Sequence, residues 1–426
     1  MAEETSTPVE KKAKRKLPLH WQILIGIALG IIVGIFLTKF VPHDKWSPYI
    51  KWAGDMFLNA LRMIVIPLVF CSIALGVAGM GESNSLGRIA GKTFAFYIFT
   101  TLIAAAIGLT MVNLVKPGVG ADLRLSESVT ELAGAKVSFI DQIVGIVPSN
   151  IFQALTTGNL LSIIFFAIFF GFFINKVNEK YQTTIKDLLE SINEVIMKMT
   201  FFIIKLAPYG VFAIVANVVG KQAGDTKALL SIAGSLGIFV LVVWGGLILQ
   251  GGVVLPLLVR ILAKVNPWRH ISKMSTSILT AFSTCSSTAA LPINIRDSQE
   301  KCGVSSKIAS FTLPLGCTIN MNGTALYECV TAIFIAQAYG IDLTLMQQII
   351  IVFTSLLAAI GTAGIPMAGM VMLTIVLNVV GLPLEGIGLV LAVEQLCDMP
   401  RTMINSYGDS CGAVIIAKSE GEKLTI

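Results

Sequence analysis

Charge is scarce in this chain. Of its 426 residues, 13% are Asp, Glu, Lys or Arg and 55% are hydrophobic, where a soluble chain carries about a quarter charged. Mean hydropathy is +0.81. Histidine is scarcer still. The three histidines, His20, His43 and His270, fall at the ends of expected spans, where an imidazole reads as interfacial rather than catalytic. The seven cysteines, at 71, 285, 302, 317, 329, 397 and 411, are scattered with no CxxC pair and no His cluster beside them. That pattern indicates neither a disulfide framework nor a zinc site. The net charge of +6 lies mostly in loops, so it says nothing for a nucleic-acid partner.

What the chain has is apolar runs. Residues 228–259 contain no charged side chain, and ~20 apolar residues suffice to cross a bilayer. Segments 26–37 and 160–174 anchor two further spans. The composition describes an all-α polytopic membrane protein. The first run follows "KKAKRK" and is long enough to stay as a helix rather than be cleaved. Lys11, Lys12, Lys14, Arg15 and Lys16 place the N-terminus in the cytoplasm. Residues 1–17 are polar and expected to be disordered. Coarse spans fall near 19–40, 53–79, 90–114, 143–176, 190–219 and 228–259. Basic residues recur between alternate spans (Arg88 and Lys92; Lys176, Lys180 and Lys186; Arg260, Lys264, Arg269 and Lys273), which fits six crossings. The loop 115–142, with Asp122, Glu127 and Glu131, is expected outside.

The pattern changes after residue 270. "TAFSTCSSTAALP" (280–292), "LGCTINMNGTALYE" (315–328) and "AAIGTAGIPMAGM" (358–370) interrupt apolar blocks with hydroxyls, amides, glycines and a proline. Backbone that leaves the helix at membrane depth must be satisfied by protein, ion or water. Broken helices are how secondary transporters build midplane sites. The first and third breaks read as tips of re-entrant helical hairpins that resemble one another as an internal repeat does. A single break reads equally well as a kinked helix; three beside buried charges do not.

The last span carries "VEQLCDMPRTMINSYGDSCGA", residues 393–413. At ~100° per residue, Glu394, Asp398, Arg401, Thr402, Asn405 and Asp409 share a stripe of about 100°. Leu396, Met403, Ile404 and Val414 lie opposite. Pro400 interrupts the hydrogen-bond ladder and is expected to release a carbonyl. A charge at membrane centre costs at least ~2.5–3.5 kcal/mol. Three carboxylates against one guanidinium leave an excess for cations, protons or a substrate amine to neutralise, and Glu328 adds to it. Internal salt bridges alone cannot balance it.

"CSST" in a hairpin, "NMNGT", "GTAGIP" and "DMPRTMINSYGD", in that order, resemble the dicarboxylate/amino-acid:cation symporters, the glutamate transporters, over nearly the whole chain from about residue 18. The resemblance implies eight transmembrane helices and two re-entrant hairpins in a homotrimer. It implies a scaffold of helices 1, 2, 4 and 5 (18–79 and 143–219). The elevator-type transport domain would hold helices 3, 6, 7, 8 and the hairpins (88–114 and 228–419), with a C-terminal tail at 420–426. It implies Arg401 on the side-chain carboxylate of an acidic amino acid and Asp398 on its amino group. Thr324, Thr402 and Asn405 would assist, with Ser286 and Ser287 of the first hairpin and Ile365 and Gly369 of the second closing over the ligand. Sodium would be held by Gly316, Asn320, Asn405 and Asp409 at one site. Thr318 with the carbonyls of Ala359, Ile360 and Thr362 would make another, and Tyr97, Thr100, Thr101, Asn320 and Asn322 a third. Met321 would point between the sites, although simple packing explains it as well. The setting implied is a multi-pass protein of a prokaryotic inner (plasma) membrane with both termini cytoplasmic.

Four positions depart from that family. Asn322 stands where aspartate is usual, so the third site should be weak. Glu394 replaces an aspartate. An arginine common at the position of Cys285 or of Met399 is absent. Burial disfavours the charged form of a carboxyl, so Glu328 and Glu394 are candidate proton carriers. The expected function is uptake of L-aspartate or L-glutamate with sodium, fewer ions than usual, and protons as a second coupling ion. A proton-only symporter, a C4-dicarboxylate carrier and a neutral amino-acid transporter are the alternatives within the family. An intramembrane hydrolase using Ser286, Ser287 or Thr284 lacks a nameable base, and a channel does not concentrate its substrate, so the chain is not read as an enzyme.

Overall fold

The computed structural model describes residues 19–78, 84–120, 147–157, 160–222, 226–360 and 368–426. Among these every regular element is helical. The first apolar half gives α1 (Leu19–Phe40), α2 (His43–Ala78) and α3 (Asn84–Val115). After them come α4 (Ile151–Thr157), α5 (Leu160–Ile174), α6 (Glu179–Lys205) and α7 (Ala207–Gln222). The expected span at 190–219 is two helices rather than one, α6 and α7, bent by 51° just before Pro208. Proline there has no N–H to continue the ladder.

α1 lies along α7 because Gly26, Gly30 and Gly34 recur every fourth residue. A Cβ on them would fall 2.5, 2.8 and 2.7 Å from the carbonyl oxygens of Pro208, Phe212 and Ala216. Small residues at this spacing let two backbones touch where no hydrophobic drive exists between helices. α2 packs on α5, α6 and α7.

α8 (Thr226–Leu249) continues through a π-helical turn, Gln250–Val254, then Leu255–Leu258, and a second π turn, Val259–Ala263. It ends where Lys264 turns left-handed at φ 56°. α9 (Pro267–Thr284) and α10 (Ser287–Glu300) form the first hairpin. Its tip, Cys285, has φ 51°, a conformation L residues seldom take. α11 (Ser306–Ile319) and α12 (Asn322–Ala338) are one helix interrupted at Asn320 and Met321, whose ψ angles of 70° and 53° leave the helix. α13 (Leu345–Ile360) and α14 (Ala368–Val379) pack as the second hairpin; the tip, which carries Thr362 and Ile365, lies outside the described residues. α15 (Ile387–Leu391) leads into α16 (Glu394–Ser419). α16 is the hub: α9, α10, α11 and α12 all pack against it, and α3 packs on α12, α13 and α8.

His270 corrects an expectation. It is fully buried within the protein rather than presented to solvent or lipid, and its ring sits 5.6 Å from that of Tyr407. Neither ring nitrogen has a hydrogen-bond partner.

The end of α16 is pinned to the start of α3. Glu420 pairs with Arg88 and, at 2.6 Å, with Lys92, which also reaches Ser419 Oγ. Glu422 accepts from Ser305 N at 2.9 Å, and Thr425 N donates to the Cys302 carbonyl at 3.0 Å. The C-terminal residues and the Arg88–Lys92 turn of α3 therefore lie together. The Arg88 and Lys92 contacts hold the Glu420 carboxyl down at about 2. A depressed carboxyl stabilises the fold in full above its ordinary range, and that stability is lost as pH falls toward 2. Glu420→Gln should lower the melting temperature at pH 7; the gap from wild type should narrow as pH falls from 5 toward 2, and should shrink in high salt.

Candidate functional site

The charged stripe of α16 faces inward. Glu394, Asp398, Arg401 and Asp409 are each 2% exposed, whereas Leu396, on the other face, is 45% exposed. One guanidinium nitrogen serves two carboxylates: Arg401 Nη2 donates to Asp398 Oδ1 at 2.7 Å and to Glu394 Oε1 at 2.9 Å. Thr402 Oγ1 adds a bond to the same Asp398 oxygen at 3.1 Å. Arg401 Nη1 is buried without a partner. It sits beside Gly369, where a Cβ would fall 2.9 Å away. The guanidinium lies over the Tyr327 ring at 4.5 Å, a cation–π contact in a desolvated place. Glu328 is fully buried, and neither of its oxygens has a hydrogen-bond partner.

The helix breaks supply the neighbouring polar groups. Asn405 Oδ1 accepts from Gly323 N at 2.7 Å, satisfying a backbone donor that the α11–α12 break exposes. Its Nδ2 reaches Thr324 Oγ1 at 3.1 Å and Met321 Sδ at 3.2 Å. Ser286 is the N-cap of α10 and accepts from Ala289 N at 3.2 Å. It leaves a half-helix N-terminus at the hairpin tip, a place that favours an anion. Gln395 Nε2 donates to Cys285 Sγ at 3.1 Å, tying that tip to the first turn of α16.

A second oxygen cluster adjoins. Asn320 Nδ2 donates to Asp409 Oδ1 at 2.8 Å, Thr101 Oγ1 to Asn322 Oδ1 at 2.7 Å, and Thr100 Oγ1 approaches Asn320 Oδ1 at 3.5 Å. Gly316 completes it by having no side chain: a Cβ there would fall 2.6 Å from both Asp409 Oδ1 and Tyr97 Oη. One carboxylate among neutral oxygens fits a hard monovalent cation. Tyr97, Thr100, Thr101, Gly316, Asn320, Asn322, Asn405 and Asp409 are thus brought together. Thr318 is not. Its side chain is exposed and its hydroxyl turns back to Leu315 O at 3.0 Å. Ala359 and Ile360 are buried at the end of α13.

Sequence reasoning missed Tyr327 and Trp244. Tyr327 sits beside Glu328 and three residues after Thr324, on the turn that faces α16, so its helical spacing from Thr324 was a usable signal. Trp244 Nε1 donates to Leu396 O at 3.0 Å. That is the carbonyl Pro400, four residues on, has no N–H to satisfy. The released carbonyl was foreseen; its donor, on another helix, carried no sequence signal.

Helical breaks around a buried, anion-rich, partly unpaired cluster define a membrane transporter. The whole-chain comparison gives its kind. Residues 19–419 match the sodium:dicarboxylate symporter family. The chain is 35% identical over 420 residues to a proton/sodium-glutamate symport protein of Bacillus caldotenax, covering 96% of each. It is 34% identical to a proton/glutamate-aspartate symporter of Escherichia coli K12, covering 95% of this chain and 93% of that one. With a C4-dicarboxylate transport protein of Bacillus subtilis it shares 31%, over 94% and 93%. The chain belongs to the sodium:dicarboxylate symporter family, whose members are transporters and not enzymes.

Leaving a backbone carbonyl without its donor costs about 1–3 kcal/mol. Trp244→Phe should lower stability by that amount. The loss should be visible in thermal melts of the purified protein, with helicity by circular dichroism otherwise kept.

Proposed function

We propose that the protein takes up an acidic amino acid, L-aspartate or L-glutamate, as a secondary active symporter. The observation that carries this is Arg401 Nη1: a buried guanidinium edge with no internal partner, beside Gly369 and opposite the Asp398 clamp. A substrate side-chain carboxylate binds that edge, and Asp398, released from Arg401 Nη2, takes the substrate amine. Thr324, Thr402 and Asn405 position the substrate backbone. Ser286 and Ser287, at the N-terminus of α10, receive the main carboxylate, and Ile365 and Gly369 of the second hairpin close over it.

Cations neutralise the remaining carboxylates. Gly316, Asn320, Asn405 and Asp409 hold one sodium ion. Thr318 with the carbonyls of Ala359, Ile360 and Thr362 holds another once the second hairpin shuts. The cluster of Tyr97, Thr100, Thr101, Asn320 and Asn322 holds a third only weakly, since Asn322 brings no charge. Glu328 and Glu394 carry protons. The packing of α1, α2, α5, α6 and α7 on one another, and of α3 with α8–α16, supports a scaffold (18–79 and 143–219) and a transport domain (88–114 and 228–419). The transport domain moves as an elevator within a homotrimer in the prokaryotic inner membrane.

The similarity to a C4-dicarboxylate transport protein favours a second reading. Asp398 argues for the amino acid, because a dicarboxylate brings that carboxylate no cation to pair with.

Four measurements test this. Arg401→Ala should weaken aspartate and glutamate binding by about 2–5 kcal/mol in calorimetric titration. Asp398→Asn should lose amino-acid binding while sparing succinate; the opposite pattern supports the dicarboxylate carrier. In proteoliposomes, uptake should fall without sodium and partly recover under an inward pH gradient, and full-rate uptake without sodium removes sodium from the mechanism. Asn322→Asp should steepen the sodium dependence of substrate binding.

A further inference from the structure

On the reverse of the turn that carries Arg401, α8, α9 and α16 enclose a cleft of about 300 Å³, bordered by Trp244, Ile248, Gly252, Ile278, Met403 and Ile404. That is roughly twice the ~150 Å³ of an apolar cavity that stays dry and takes up benzene. The concavity has a local cause. The π-helical turn Gln250–Val254 carries paired glycines. A Cβ on Gly251 would strike Ile404, but one on Gly252 would meet only Ile248 Cγ2, at 4.0 Å. Gly252 therefore opens the floor rather than permitting a close helix approach.

The surroundings identify the occupant. The cleft lies in the uncharged run 228–259 of a membrane-spanning helix. The flanks of its helices are aliphatic and outward: Leu241, Ile248 and Leu279 are 70%, 66% and 62% exposed. Of the wall's side-chain polar groups, Trp244 Nε1 is engaged by Leu396 O, and only the Tyr407 hydroxyl, itself buried, is left without a hydrogen-bond partner. A peptide would bring a run of backbone donors and acceptors to a wall whose one spare hydroxyl, on Tyr407, could answer at most one or two of them, and a soluble ligand has no aqueous route. A hydrocarbon chain brings no such groups.

We propose that this cleft is a binding site for one acyl chain of a bilayer phospholipid. No hydrophobic drive distinguishes it from bulk lipid; selectivity comes from dispersion contacts with walls on three helices. The chain bears on Pro400, Met403 and Ile404, behind Asp398 and Arg401, and on Trp244, the donor that closes the Pro400 gap. This inference rests on the membrane location alone and is independent of which substrate is carried.

The test uses the full-length protein in liposomes containing phosphatidylcholine with a mid-chain diazirine. After photolysis, labelled peptides are mapped by mass spectrometry. Label should concentrate on residues 244–252 and 403–404 above the outward flank at Leu241 and Leu257. Gly252→Leu, whose side chain occupies the cleft, should lose most of that excess. Labelling spread evenly over the outward face of α8, and unchanged in Gly252→Leu, overturns the proposal. Should Gly252→Leu not fold, phosphatidylcholine brominated at mid-chain serves instead. Quenching should be lost in Trp244→Phe, because Trp244 lies mid-span and the other tryptophans lie near helix ends; quenching retained in Trp244→Phe overturns it equally.

Discussion

The structure turns on burying carboxylates in a place with too little positive charge. Glu394, Asp398, Asp409 and Glu328 are all withdrawn from solvent, and Arg401 is the one guanidinium among them. Buried ions repay their desolvation only with excellent geometry and further hydrogen bonds. The chain supplies these unevenly. Asp398 has Arg401 and Thr402; Asp409 has the Asn320 amide. Glu328 has no hydrogen bond. The shortfall is concentrated where a substrate or a coupling ion would bring its charge.

The broken helices follow from this need. An unbroken helix spends its amides on its own ladder and offers a neighbouring ion only side chains. Interrupting α11 and α12 at Asn320 and Met321 frees the Gly323 amide for Asn405 and brings Asn320 onto Asp409. Ending α9 at Cys285 begins α10 with a free N-terminus. Each break is stable because a side chain from another helix completes it: Asn405 at the α12 start, Gln395 at the hairpin tip, Trp244 at the carbonyl released by Pro400. On the proposed reading, function and local instability fall on the same residues, supported from outside.

How much of this was legible follows from the range of each interaction. The stripe on α16 was readable because it depends only on 3.6-residue periodicity within one helix, and its six polar members are all buried. The breaks were readable from glycine, proline and hydroxyl clusters. The α6–α7 bend was not, because the apolar pattern of 190–219 runs through it. The burial of His270 was not legible because its place at the end of an expected span says nothing of what packs over it, which is α16 with Tyr407. Thr318 was assigned by motif position, and the motif does not fix which way a hydroxyl turns when its own helix offers the Leu315 carbonyl. Trp244 acts across helices, so only tertiary packing reveals it, whereas Tyr327 could have been read from its spacing to Thr324.

The two departures at Asn322 and Glu394 bear on coupling through the same charge balance. On the proposed reading, each uncompensated carboxylate calls for one mobile cation, and replacing an aspartate by Asn322 removes one such demand from the cluster around Thr101. Glu394 acts differently. It reaches the same Arg401 nitrogen that Asp398 uses, at 2.9 Å. A substrate amine drawing Asp398 away then leaves Arg401 still held, so the guanidinium keeps its orientation while its other edge receives the cargo. A carboxylate that steadies the arginine need not be discharged by sodium at each turnover. On the same reading, with one acidic side chain removed from the cation cluster, Asp409 and Glu328 remain to be balanced by ions that travel with the substrate, and Glu394 by Arg401 or, when it lets go, by a proton. Asp409 has oxygens around it that suit a sodium ion, and Glu328 has neither a hydrogen bond nor such oxygens, which suits a proton.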